Sequence, residues 1–291
     1  MHKLLLSTSV AALAFFAAGA AKADDALLAL QNLTATASQL QQTQNQVSTG
    51  LAISAPQDNG AIWAIAQNER GTSSSLNSVI QSLQRSQSTV QVATSAGTSV
   101  SNLLNQLKSI ALSATDTSLD PTSLAAYNTQ FKSVLGQISQ VVNNSDFNGV
   151  NMIKNGGTTL YALATASGGQ LTVNAQDLSL GGAGALSTLA ATASIGTTAL
   201  ASAMVTTLNT AITSTNAALG QLGTGATALQ NQLTFVQNLQ DTLDAGVGNL
   251  VNANLGKESA QLTALQTKQQ LGIQALSIAN QSSSVLLSLF R

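Results

Sequence analysis

The strongest constraint on this chain is a stripe of apolar or small residues, spaced alternately three and four positions apart, near each of its ends. This spacing is the a/d pattern of a heptad, which favours the pairing of two helices along one face. Over residues 26–51 the stripe is predicted to contain Leu30, Leu33, Leu40 and Val47, with Ala37 and Gln44 at the intervening positions. Over residues 256–291 it is predicted to contain Leu262, Leu265, Leu276, Ala279 and Leu286. The two stripes most simply pair with each other as an antiparallel helical hairpin.

Composition permits helix almost everywhere and points to an assembly. The 291 residues include only 2 prolines, Pro56 and Pro121, so helices can continue with little interruption. Low charge, 7%, with 44% hydrophobic residues argues against disorder and against a solitary soluble coiled coil, whose outer faces are rich in Glu and Lys. Helix surfaces rich in Gln, Ser, Thr and Asn instead suit a chain that packs against copies.

Turn signals divide the chain into elements. Ser48-Thr49-Gly50 is predicted to end the first helix with Gly50 in the left-handed conformation, and Pro56 to lie in the following turn. Further helices are predicted over residues 58–99, 101–114 and 123–142, with a junction at Gly97. From residue 208 the helical pattern resumes, and residues 226–291 would span about 100 Å as one helix. Glycine-punctuated runs at 160–163 and 170–173 predict short strands. The predicted fold is mainly α, an elongated helical hairpin or coiled coil with a small β-rich segment in the middle.

The residue inventory excludes several functions. The chain has no cysteine and one histidine, His2, so disulfides, thiol nucleophiles and His/Cys zinc sites are excluded. Ten basic against eleven acidic residues leave no basic surface for nucleic acid. The acidic residues are scattered without the spacing of a catalytic pair or a metal site. We therefore expect no enzyme activity, no catalytic residues, no metal and no cofactor.

The N-terminus has the pattern of a secretory signal. Residues 1–23 begin with His2 and Lys3, continue through an apolar stretch, and end with small residues, Ala21 and Ala23, before Asp24. We predict cleavage after Ala23. The alternative is an apolar helix that the mature protein retains, although the stretch is shorter than the roughly 20 residues of a membrane span.

Several local strings, in their order and spacing, are similar to those of bacterial flagellins over nearly the whole chain after residue 23. The run Ser48-Thr49-Gly50-Leu51, followed by Ser54-Ala55-Pro56-Gln57-Asp58, resembles the family's turn into its second helix. Asp146-Phe147-Asn148-Gly149-Val150 resembles its Phe-Asn-Gly element, and residues 266–291 resemble its C-terminal helix. The chain departs from the family's pattern in three places: the signal-like start, Asn252-Ala253-Asn254 in place of Asp-Ala-Asp, and Gln46-Val47 in place of a basic residue.

The resemblance implies a structural subunit that polymerises into the bacterial flagellar filament for motility, in the extracellular space. It implies an inner coiled-coil domain of residues 24–55 and 252–291, a helical bundle of 56–142 and 195–251, and a β-rich segment of 143–194. The implied partners are copies of the chain or paralogous flagellins, hook-associated and cap proteins, and an export chaperone, with no nucleic acid. Two alternatives remain at this point. One is a flagellin-like adhesin exported through the Sec pathway to the periplasm or cell surface, and the other is a protein of the hook–filament junction.

Overall fold

The computed structural model describes the backbone of residues 27–288 and the side chains of residues 27–278. The described part contains helix α1 over residues 27–49, α2 (Gly60–Ser113), α3 (Pro121–Asn143), strands β1 (Leu160–Leu163) and β2 (Gln170–Val173), α4 (Thr198–Val251) and α5 (Leu255–Ser288). The prediction of a mainly helical fold with a small β-rich segment is confirmed. The predicted signal and its residues Ala21 and Ala23 lie outside the described residues.

The chain divides into two compact units. The terminal unit comprises residues 1–69 and 245–291, and the central unit comprises residues 70–244. Both boundaries lie inside continuous helices, α2 and α4, whereas the domains implied by the resemblance divide near residues 55 and 252. Within the part of the chain that the structure describes, no helix has the length and apolarity needed to cross a bilayer.

In the central unit, α2 and α4 lie antiparallel and are joined by polar side chains. Four hydrogen-bonded pairs join the two helices. From each pair to the next, the residue on α2 lies 4, 10 and 14 positions later in the sequence, and its partner on α4 lies the same number of positions earlier, so one register holds throughout. Three of the four pairs are uncharged, in keeping with the low charge of the sequence. The pairs and their donor–acceptor distances are Ser73–Asp244 (2.8 Å), Gln240–Asn77 (3.0 Å), Gln87–Gln230 (2.6 Å) and Ser101–Asn216 (3.2 Å).

The predicted interruption at Gly97 is wrong, because α2 continues without a break from Gly60 to Ser113. A Cβ atom at Gly97 would lie 2.6 Å from Cδ2 of Leu219 and 3.3 Å from Cδ1 of Leu178. The glycine therefore makes room for side chains packed against the helix. The described part of residues 226–291 forms two helices, because α4 ends at Val251 and α5 begins at Leu255.

The β-hairpin is attached to both long helices of the central unit. Its two strands lie where the sequence predicted them, and they pair antiparallel with Leu160 opposite Val173. The backbone N–H of Leu163 donates to Oγ of Ser82 on α2 (3.0 Å), and Nε2 of Gln232 on α4 donates to the carbonyl of Ala164 (2.8 Å). These two bonds fix the hairpin over the core.

Candidate assembly surface on the terminal unit

The helices of the terminal unit break at matching positions on the two halves of the chain. Helix α1 ends at residue 49, and Gly50 follows with φ of 72°, a left-handed conformation that costs glycine little. Leu51 then forms an antiparallel bridge with Asn252. The N–H of Ala52 donates to the carbonyl of Val251 (2.7 Å), and the N–H of Ala253 donates to the carbonyl of Gly50 (2.9 Å). The two breaks are thus joined by backbone hydrogen bonds, which also explains why α4 and α5 are separate helices.

A carboxylate organises the turn that leads into α2. Oδ2 of Asp58 accepts hydrogen bonds from the N–H of Ser54 (2.9 Å), the hydroxyl of Ser54 (3.1 Å) and the N–H of Ala55 (3.0 Å). These bonds, led by those from the backbone of Ser54 and Ala55, lower the pKa of Asp58 from its usual value. Pro56 lies exposed inside this turn, and Oδ1 of Asn59 accepts from the N–H of Ile62 at the start of α2 (3.2 Å).

Only a small apolar core lies beside this junction. Its buried members are Ala66, Val247 and Val251, and the partly buried Leu51, Ile53 and Ile62 pack against them. The core joins the first turns of α2 to the last turns of α4. It contains no aromatic side chain, so little apolar area holds this part of the monomer together.

Beyond the junction, α1 and α5 face each other along a heptad seam, defined here as their least exposed positions. The seam on α1 consists of Ala29, Leu33, Thr36, Leu40, Thr43 and Val47, and that on α5 of Glu258, Leu262, Leu265, Gln269, Gly272 and Leu276. Leu33 lies directly against α5, since its Cδ1 is 3.2 Å from the position of a Cβ on Gly272. Together with the bridge at Leu51 and Asn252, this contact shows that α1 and α5 lie antiparallel.

The structure brings together most of the residues predicted for the seam. Leu33, Leu40, Val47, Leu262, Leu265 and Leu276 lie on it. Leu30 does not, because Ala29 takes that position and leaves the Leu30 side chain 49% exposed. The side chains of Ala279 and Leu286 lie outside the described residues.

Sequence reasoning missed two threonines of the seam. It placed Ala37 and Gln44 there, whereas Thr36 and Thr43 are the buried residues. The Thr36 hydroxyl donates to the carbonyl of Asn32 (2.8 Å), which satisfies the polar atom and leaves the methyl group for packing. A rule that scores threonine as polar cannot find such positions from the sequence.

The terminal helices also carry large apolar side chains on faces that the α1–α5 seam does not cover. Those exposed on these two helices are Leu27, Leu28, Leu30, Leu255, Leu271, Ile273 and Ile278. A helix that is apolar on several faces is normally buried on all of them, and large exposed apolar patches mark interaction sites. Between the helices, a groove is lined by Ala29, Leu33, Lys268, Leu271, Gly272 and Ala275. This surface suits packing against protein and offers little chemistry.

Among the described residues, no group of three or more His, Cys, Asp or Glu side chains is placed to hold a metal ion. The predicted turn residues Gly50 and Pro56 and the seam residues instead occupy structural positions. The terminal unit thus combines a paired-helix seam with exposed apolar side chains.

The chain is similar to bacterial flagellins in two family models and in several relatives. The family model described as the bacterial flagellin N-terminal helical region matches residues 24–158, and that of the C-terminal helical region matches residues 205–290. The flagellin FljM of Caulobacter vibrioides is 51% identical over 266 residues, covering 91% of this chain and 96% of the relative. A flagellin of Brucella melitensis is 34% identical over 280 residues, with the same coverage of 91% and 96%. A crystal structure of Bacillus cereus flagellin is 23% identical, with a TM-score of 0.47, covering 52% of this chain and 86% of that one.

The two matched regions together span most of the chain, and a relative more than 30% identical is covered almost completely. Flagellins are structural proteins that assemble with other flagellin subunits into the extracellular flagellar filament. The chain belongs to the bacterial flagellin family and is a structural subunit of that filament, not an enzyme.

Proposed function

We propose that this flagellin polymerises mainly through its terminal unit, with the α1–α5 pair forming the inner tube of the filament. The observation that carries the proposal is the distribution of exposed apolar side chains. Among the described residues, nine of the thirteen large exposed ones lie in the terminal unit, which contributes the smaller share of those residues. In water this surface is unfavourable, and burying it against neighbouring subunits supplies the driving force for assembly.

A repeated contact between two different surfaces of the same chain generates an open helix, which is the geometry of a filament. The seam residues Leu33, Leu40, Val47, Leu262, Leu265 and Leu276 hold the α1–α5 pair together. The outward side chains, such as Leu271, Ile273 and Ile278, then contact the next subunits. Assembly also stabilises the pair by mass action, because neighbours bind only its folded form.

The domain division follows from the same proposal. Residues 24–55 and 252–291 form the inner domain, 56–142 and 195–251 the surrounding helical bundle, and 143–194 the β-rich segment. The bridge between Leu51 and Asn252 supports a domain boundary at these residues, since α1 and α4 end near it and α2 and α5 begin near it.

Further partners follow from the same exposed surface. Before assembly, the apolar faces of α1 and α5 require cover, and this supports binding by an export chaperone. At the filament ends, hook-associated and cap proteins would contact the faces that another subunit covers elsewhere. Paralogous flagellins would share the filament, because their assembly surfaces need only match this one.

A double variant tests the role of the seam. Leu265→Asp with Leu276→Asp places two charges at the α1–α5 contact, where Leu265 is 7% exposed. We expect no filaments in negative-stain microscopy, while the near-ultraviolet tyrosine signal of the central unit is retained. The matched control, Gln266→Asp with Gln270→Asp, adds the same charge at two exposed positions of α5 and should assemble. Normal filaments from the leucine variant would overturn the proposal.

Cleavage after Ala23 is a separate part of the proposal. It is supported by the residue pattern over 1–23 and by the family match, which starts at residue 24. N-terminal sequencing of the exported protein tests it. Asp24 as the first residue supports cleavage, and Met1 as the first residue contradicts it.

A further inference from the structure

The chain contains three Asn-Gly pairs, Asn59-Gly60, Asn148-Gly149 and Asn155-Gly156. Such a pair can modify itself, because glycine has no side chain to shield its backbone nitrogen from the neighbouring asparagine amide. The sequence makes the three pairs equivalent. The structure places them in three different settings.

Asn148 and Asn155 lie exposed in tight turns of the central unit. Asn148 has φ of 52° and Gly149 φ of 78°, in a turn closed by two hydrogen bonds of 3.0 Å between the backbones of Phe147 and Val150. Gly156 has φ of 65°, in a turn closed by the N–H of Gly157 donating to the carbonyl of Lys154 (2.9 Å). In the described structure, neither asparagine amide makes a hydrogen bond, and neither following glycine donates its N–H.

Asn59 is held in place. Its Oδ1 accepts a hydrogen bond from the N–H of Ile62 (3.2 Å), and Gly60 is the first residue of the 54-residue helix α2. Ring closure at this pair would first have to break the cap and then rotate Gly60 out of the helix. Asn59 is thus the most restrained of the three asparagines, although all three share the same sequence motif.

We propose that Asn148 and Asn155 are sites of spontaneous deamidation, and that Asn59 is protected by its role as a helix cap. The backbone nitrogen of the glycine attacks Cγ of the asparagine, its proton passes to solvent, and the side-chain nitrogen leaves as ammonia. The resulting succinimide is opened by water at either carbonyl to give aspartate or isoaspartate. No oxidant, metal or further enzyme is required.

The modification alters a structurally sensitive segment. Asn151, 2% exposed, lies between the two turns, donates from Nδ2 to the carbonyl of Val142 (2.8 Å), and accepts at Oδ1 from the N–H groups of Ile153 and Lys154 (2.9 and 3.0 Å). Each deamidation adds one negative charge close in sequence to the hydrogen bonds of Asn151. Isoaspartate also lengthens the main chain, and at residue 148 it is incompatible with the paired bonds between Phe147 and Val150. Because ring opening leaves a stable aspartate or isoaspartate, we expect the product to accumulate with the age of the protein.

Ageing the purified full-length protein in mildly alkaline buffer tests the proposal, with peptide mass spectrometry and enzymatic isoaspartate labelling as the two measurements. In folded protein, we expect Asn59 to convert about fivefold more slowly than Asn148 and Asn155, since one capping hydrogen bond must first open. In urea, the three pairs should convert at similar rates.

Two variants serve as controls. Asn155→Ser should remove the signal at that turn and leave the rate at Asn148 unchanged. Asn148→Asp carries the charge of one product and has no side-chain amide to lose, so it should release no ammonia at this position. Equal rates at the three pairs in folded protein, or a faster rate at Asn59, would overturn the inference. Absence of conversion at Asn148 and Asn155 over a time in which the urea-treated protein converts would overturn it as well.

Discussion

The terminal and central units are built from the same residue types, yet they differ in where their apolar side chains lie. In the central unit, large side chains such as Phe131, Leu104 and Leu107 are fully buried in one core. In the terminal unit, the buried core beside the junction comprises Ala66, Val247 and Val251, while leucines and isoleucines of α1 and α5 stay exposed. One unit completes its core within the monomer, whereas the other leaves the large apolar side chains exposed that we propose contact neighbouring subunits.

Polar contacts show the same contrast. In the central unit, side-chain bonds such as Gln87–Gln230 and Gln240–Asn77 fix the register of α2 against α4. In the terminal unit, the two halves of the chain are joined through the backbone, at Gly50, Ala52, Val251 and Ala253. A backbone link depends little on side-chain identity and so tolerates the change to Asn252-Ala253-Asn254.

The largest effect should come from truncating the core of the central unit. Phe131→Ala should lower the free energy of unfolding by about 3–5 kcal/mol, because it opens a cavity where the side chain is fully buried. The two tyrosines, Tyr127 and Tyr161, lie in the central unit and the single tryptophan, Trp63, lies in the terminal unit, so their spectra report on the units separately. Thermal unfolding followed by the tyrosine signal measures the loss.

The paired variant in the terminal unit is Leu265→Ala. It should change the unfolding transition seen by Trp63 and leave the tyrosine transition in place. If Leu265→Ala shifted the tyrosine transition as much as Phe131→Ala does, the two units would unfold as one, and the contrast drawn above would fail.

A smaller effect, with opposite signs at two glycines of α4, tests how tightly the central unit is packed. A Cβ atom at Gly225 would lie 2.5 Å from Cγ1 of Val173, a buried and rotationally restricted side chain, whereas nothing lies within 4 Å of one at Gly220. Gly225→Ala should cost about 1–3 kcal/mol through overpacking. Gly220→Ala should stabilise the helix by up to about 1 kcal/mol. Urea unfolding midpoints give both values, and a shift of the same sign for both would contradict the packing argument.

The smallest effect concerns the loss of stability in acid, which is compared between one carboxylate in each unit. Hydrogen bonds lower the pKa values of Asp58 and Asp120. The bonds to Asp58 come mainly from the backbone of Ser54 and Ala55, and the bonds to Asp120 come mainly from Ser123. Each carboxylate therefore contributes stability above its unfolded pKa of about 3.9, and that contribution is lost as pH falls through the lower native value.

The test is an acid titration of each variant. Asp58→Asn should flatten the acid response of the Trp63 fluorescence and leave that of the tyrosines unchanged. Asp120→Asn, at the start of α3, should do the reverse. If the Asp58 variant and the unaltered protein gave the same acid response, the Asp58 carboxylate would not contribute to the acid dependence of stability in this turn.

Local patterns predicted much of the fold. The heptad spacing identified α1 and α5, the amphipathic pattern over residues 123–142 identified α3 with its start two residues late, and the glycine-punctuated runs identified both strands at their observed bounds. The same reasoning failed at Gly97, where the outcome depends on a distant part of the chain. Gly97 remains helical because Leu219 and Leu178 pack over it, and the break after Val251 forms because Leu51 pairs there.

The sequence by itself determined that the chain is helical, that its ends pair, and that it lacks the groups for catalysis, because these follow from periodicity and from residue inventory. The packing of the elements established that Thr36 and Thr43, and not Ala37 and Gln44, lie in the seam. It also established that Asn59 caps a helix while Asn148 and Asn155 make no side-chain hydrogen bond in the described structure. Periodicity fixes the face of a helix to within about one residue. Which side chain is buried or held on that face depends on the element packed against it, and that information lies far away in the sequence.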